Sequence, residues 1–152
     1  MTAMTQADAA APNNAKSSTR FLPMAARILL GLIFFAAGIF GLLTVAGVVP
    51  MKPPSPPPPE RAVALMEGMM KSGYLFALLK VTETVAGALL LVKRFVPLAL
   101  AILAPVVVNI VAFHALLLPS GLPVAMVVLA LEIYLAWTYR AVYRPMLAAR
   151  TP

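Results

Sequence analysis

The sequence predicts an all-α fold: a four-transmembrane-helix bundle with a short interfacial amphipathic helix between helices 1 and 2. Three observations predict it. Hydrophobic residues make up 62% of the chain and charged residues 11%, whereas soluble domains sit at roughly half and a quarter. From Phe95 to Leu131 there is no formally charged residue. Finally, apolar stretches recur four times, each near the ~20 residues that a helix needs to cross the hydrocarbon core. A chain of 152 residues cannot cover so much apolar surface in water. In lipid every backbone polar group must be satisfied within the chain, so the stretches are read as helices.

Residues 1–22 are read as a disordered cytoplasmic tail, because Ala, Thr, Asn and Ser dominate without apolar periodicity. Residues 23–145 form the membrane domain and residues 146–152 a cytoplasmic C-terminal tail. The first helix is expected over about 24–49. Its apolar part, Ile28 to Val49, has 22 residues. That is about 33 Å of helix and exceeds the apolar region of a cleaved signal peptide, roughly 7–15 residues. Ala37 and Gly41 make a small-xxx-small pair suited to close helix contact.

Prolines crowd residues 50–59 and exclude a helix there. Glu60 to Ser72 then reads as the interfacial helix: Ala62, Leu65, Met66 and Met69 share one face, and Glu67 and Lys71 pair at i,i+4 on another. The second span runs over about 73–92 and ends at Lys93-Arg94. Pro97 opens the third, which reaches about Leu118, and Pro105 inside it predicts a kink. Pro119 to Pro123 is a tight turn. The fourth span covers about 122–143.

The net charge of +7 does not indicate nucleic acid, because the basic residues sit at helix ends rather than in an aromatic-interleaved patch. Lys16, Arg20, Arg27, Lys93, Arg94, Arg140, Arg144 and Arg150 fall on one side, against Lys52, Arg61 and Lys71 on the other. The positive-inside rule places both termini in the cytoplasm. The chain has no cysteine and one histidine. That excludes disulfides, a thiol relay and an iron–sulfur or thiolate zinc centre within it, and no metal site is expected.

The polar residues at membrane depth are the candidate site: Lys80, Glu83, Asn109, His114 and Glu132. Charged groups there are costly and usually functional, about 2.5–3.5 kcal/mol each on insertion scales. Counting residues from the outer ends of their helices puts Glu83, Asn109 and Glu132 at one level, facing the interior, with Lys80 and His114 one to two turns above. Glu83 is the leading proton-exchanging group, because desolvation and the Lys80 charge act in opposite senses on its protonation. Each residue also has a plainer reading: a structural Lys80–Glu83 ion pair, Asn109 as interhelical glue, His114 as a hydrogen-bonded cap and Glu132 as a protonated or hydrogen-bonded packing group.

Three segments carry a family resemblance. They are ARILLGLIFFAAGIFGL at 26–42, FALLKVTETVAGALLLVKRFVPLAL at 76–100, and NIVAFH followed by PSGLP at 109–123. Arg27-x-x-x-Gly31 and Glu83-x-x-x-Gly87-x-x-Leu90-Leu91 are their signatures. Over about 25–145 the chain resembles the DoxX family of small four-helix membrane proteins. The resemblance implies the bacterial cytoplasmic (inner) membrane and a role in a quinone-linked redox or oxidative-stress-associated complex. A quinone is then the expected diffusible ligand, with no tightly bound cofactor, and a partner subunit or homo-oligomer is expected. A non-enzymatic scaffold or assembly role, and a small-solute or proton pathway, are the alternatives.

Overall fold

The computed structural model describes residues 15–50 and 56–143, with side chains from residue 21 onward. Described residues form helices and turns only. The elements are α1 (Ala15–Val45), α2 (Glu60–Lys71), α3 (Leu75–Leu91), α4 (Val96–Leu116), a 3-10 turn (Pro119–Gly121), α5 (Leu122–Thr138) and α6 (Arg140–Tyr143). Helix α1 packs most extensively on α3; α3 packs on α4, α4 on α5, and α5 back on α1. The core lies along this closed ring, with Leu30 and Phe34 from α1, Leu90 from α3, Leu103 and Val107 from α4, and Leu135 from α5 all buried.

The outward faces are apolar as well. Phe40, Val108, Leu116, Val124 and Trp137 are exposed, as hydrocarbon rather than water would require. Among the described residues, three helical stretches are long and apolar enough to cross a membrane: Phe21–Val45, Val96–Leu116 and Pro119–Thr138. Helix α3 reaches that criterion only together with α2, from which it is bent by 90°. Its 17 residues give about 25 Å of helix, short of a ~30 Å core, so the second span is shorter than the 73–92 expected.

The tail predicted over 1–22 was drawn too long. Helix α1 begins at Ala15 and continues through Pro23. A proline withdraws one hydrogen bond and crowds one carbonyl, and the strongly helical segment after it carries the helix back across that defect. Residues 1–14, 51–55 and 144–152 lie outside the described residues, and with them the remainder of the tail, half of the proline-rich run and the C-terminal tail.

Helix α1 also ends earlier than expected, at Val45. The Val48 and Gly47 amides bond the Leu43 and Thr44 carbonyls at 2.9 and 3.1 Å. Gly47 takes φ +73°, the left-handed residue that closes a Schellman motif. Helix α3 closes the same way through Arg94 to Leu89 (3.0 Å) and Lys93 to Leu90 (3.3 Å). There the left-handed position is held by Lys93, φ 58°, with Phe95 at φ 52° after it.

Candidate functional site

Close approach of α1 and α3 builds the first wall of the site. A Cβ on Gly87 would lie 2.5 Å from the Phe35 amide nitrogen, and one on Gly38 would lie 2.6 Å from that of Thr84. Only glycine lets the backbones meet at this distance. Gly41 does the same for a side chain: the Lys80 stem lies where its Cβ would be, 2.3 Å from Lys80 Cδ. The pairing partner of Gly41 is therefore a lysine stem on α3 rather than a second small residue.

Lys80 is folded against α1 and turned inward. Its Nζ donates to Glu83 Oε2 at 2.7 Å and lies 5.4 Å from the centroid of the Phe76 ring. Glu83 is 3% exposed. The i,i+3 spacing on one helix face puts charge and countercharge together before any other helix packs on them. The pair gives each buried charge a partner, which is what makes burial tolerable.

The pair opens on a cavity of about 300 Å³ between α1, α3, α4 and α5. Phe34, Phe76, Phe113 and Val128 supply apolar wall, and Met66 and Met69 of α2 cover one side. Among the described residues, the only polar side chains lining it are Lys80, Glu83, Asn109 and His114. Asn109 is exposed and stands at the rim, so it does not face the bundle interior as the matched depths predicted. Rotation about the α4 axis decides this: Leu103 and Val107 take the buried stripe, and Asn109 lies two residues around from it.

His114 Nδ1 lies 2.8 Å from the Ile110 carbonyl oxygen. A carbonyl only accepts, so the neutral ring carries its proton on Nδ1 and leaves Nε2 as an acceptor. The ring occupies the space that a side chain on residue 121 would need. A Cβ there would fall 2.3 Å from Nε2, so the glycine of the Pro119–Gly121 turn seats the histidine.

Glu132 does not join this group. It is 5% exposed, and its Oε2 is buried with no hydrogen-bond partner. The equal-depth expectation placed it at the level of Glu83, facing the interior. It is buried in the bundle, but Val128, one turn nearer the start of α5, lines the cavity, and Glu132 lies beneath it. The level counting used helix ends that the structure shifts.

Sequence reasoning missed Arg27 as a buried group, because it reads as one more flanking charge. It is 6% exposed, and its guanidinium donates to the carbonyls of Leu90 and, at 3.2 Å, Leu91. Both carbonyls lie at the C-terminal end of α3, where Leu90 also accepts from the Lys93 amide, and a cation there meets the negative end of the helix dipole. The available signal was its position one turn before Gly31, on the face that meets α3. Tyr143 makes a comparable tie at the same end. Its hydroxyl donates to the Pro97 carbonyl at 2.6 Å and fastens α6 to the start of α4. Burial first, and then the charge of the neighbouring Glu132 when it is ionised, push this phenol above its usual range, so it stays a donor.

The lining groups can donate and accept hydrogen bonds around one small ring and can exchange protons with it. Among the described residues no three His, Cys, Asp or Glu side chains gather as metal ligands. No family model matches the chain, and no curated protein or solved structure is similar enough to match.

Proposed function

We propose that the chain is a four-span integral membrane protein whose cavity takes the head group of a membrane quinone, as a subunit of a quinone-linked redox or oxidative-stress-associated complex. Helix α3 is the short second span, and α2 lies at the interface as the cover of the cavity. Both termini and the 93–94 turn face the cytoplasm of a bacterium, which the basic residues favour by eight to three. The DoxX resemblance supports this reading. The observation that carries it is the convergence of Lys80, Glu83, Asn109 and His114 on one otherwise apolar cavity.

A quinone head group matches that lining in kind. It is a flat apolar ring with two carbonyl oxygens, and its tail belongs in lipid. Lys80 and Asn109 would donate to the oxygens, and Glu83 and His114 Nε2 would take up protons from water and pass them on as reduction consumes them. Two electrons must come with two protons for each quinone reduced. The electrons are assigned to a redox partner subunit, because these side chains supply only protons and hydrogen bonds. A volume near 300 Å³ stands at the lower end of ligand pockets, enough for a ring without its tail.

Equilibrium binding of decylubiquinone to the protein in lipid vesicles tests the reading. Saturable binding is expected, weakened about tenfold by Asn109→Leu, which loses about one hydrogen bond to a buried partner. No saturable binding, or equal binding by that variant, overturns it. Tight capture of a partner protein without quinone binding would establish the scaffold reading in its place.

A further inference from the structure

Glu132 stands apart from the cavity and is used by nothing described so far. It sits ten residues into α5, about 15 Å from the start of that helix. Ala125, Val128, Glu132 and Leu135 form the buried stripe of α5, so the carboxyl is directed into the core among α1, α4 and α5. Oε2 has no hydrogen-bond partner. The other charged and titratable groups on the elements of the bundle are committed elsewhere. Arg27 of α1 is bonded to the α3 carbonyls. Tyr143 of α6 gives its hydroxyl to Pro97. Glu83 of α3 is held by Lys80. His114, at the far end of α4, bonds Ile110.

A lone buried carboxyl with a free oxygen is an acceptor in want of a ligand. A hard metal cation would need about six oxygen ligands, and the described residues gather no second or third carboxylate there. A carboxylate in an apolar core with no countercharge beside it is strongly disfavoured. The one ligand whose chemistry fits a single oxygen is a proton. Position supplies the rest. Val128 is a cavity-lining residue one helical turn away, which sets the carboxyl about 6 Å beneath the cavity floor.

We infer that Glu132 is a proton-binding site beneath the cavity: its carboxyl holds a proton in the ligand-free protein and exchanges it with the cavity above. A proton that leaves upward leaves a carboxylate behind, which is restored by one proton from water. The service to a quinone rests on the reading proposed above; occupancy of Glu132 by a proton does not.

Infrared spectroscopy of the full chain in vesicles at neutral pH, without added quinone, tests the site directly. The wild type is expected to show the carbonyl stretch of a protonated carboxylic acid. Glu83→Gln should retain that band and Glu132→Gln should lose it. Glu132→Asp should keep it at a displaced frequency, which guards against a variant that merely misfolds. Transfer to heavy water should shift the band within seconds. No band in the wild type, or a band that survives in Glu132→Gln, overturns proton binding. A band that stays unshifted for hours overturns exchange. Decylubiquinone binding by Glu132→Gln should remain within twofold of wild type, because Glu132 does not line the cavity. The quinone reading thus fails through absent quinone binding by the wild type, and the Glu132 inference through the infrared band.

Discussion

Replacing the helical glycines by alanine one at a time should separate them sharply. A Cβ at Gly87 would sit 2.5 Å from the Phe35 nitrogen and 2.9 Å from its Cα; at Gly38 it would sit 2.6 Å from the Thr84 nitrogen and 2.9 Å from the Lys80 oxygen. Comfortable carbon contacts lie at about 3.5–4.0 Å, so α1 and α3 must part by about 1 Å. These obstacles are backbone and cannot rotate away. Overpacking of this kind costs about 1–3 kcal/mol. At Gly31 the nearest obstacle is the Leu91 side chain at 3.0 Å, which can change rotamer, so a smaller loss is expected. At Gly68 of α2 nothing lies within 4 Å, and alanine should stabilise by about 0.5–1 kcal/mol through helix propensity. Unfolding by sodium dodecyl sulfate in mixed micelles, followed by far-ultraviolet circular dichroism, reads all four. The expected order is Gly68→Ala above wild type, then Gly31→Ala, then the other two. If Gly87→Ala and Gly38→Ala lie within a few tenths of a kcal/mol of wild type, the glycine-mediated approach of α1 and α3 is refuted.

Three other outcomes are expected. Lys80→Met should destabilise by about 3–5 kcal/mol because it strands a buried carboxylate, and adding Glu83→Leu should recover most of that loss; Glu83→Gln should instead keep the fold and abolish quinone-linked turnover in a reconstituted complex, and full turnover in that variant would reduce Glu83 to a pairing residue. Tyr143→Phe should cost about 1 kcal/mol, the worth of its bond to Pro97. Because the folded phenol titrates above its ordinary value of 10.0, that part of the stability is whole below pH 10.0 and fades as pH rises through the folded value, which a denaturation series in alkaline buffers checks. A reporter fused after Pro152 should be active only as a cytoplasmic reporter, and periplasmic activity there would reverse the topology.

Sequence alone determined the all-helical class, because apolar length and the absence of charge leave lipid as the only compatible surroundings for Val96–Leu116 and its neighbours. It also determined the local pairs. Lys80 and Glu83 lie three residues apart on one helix, and Glu67 and Lys71 four apart on another, so each meets its partner whatever the rest of the chain does. The tertiary structure decided which other polar groups join them. Helical rotation sent Asn109 to the rim, while the bend at Ser72–Gly73 brought Met66 and Met69 over the cavity. The Pro119–Gly121 turn seated His114. Glu132 was left a turn below. Such choices depend on tilt, rotation and the exact ends of several helices at once, quantities a residue count along one helix does not contain. Arg27 shows the same limit most plainly. Its charge and spacing resemble those of a flanking arginine, and only the approach of the α3 C-terminus, permitted by Gly31 and Gly87, turns it into a buried donor to the carbonyls of Leu90 and Leu91.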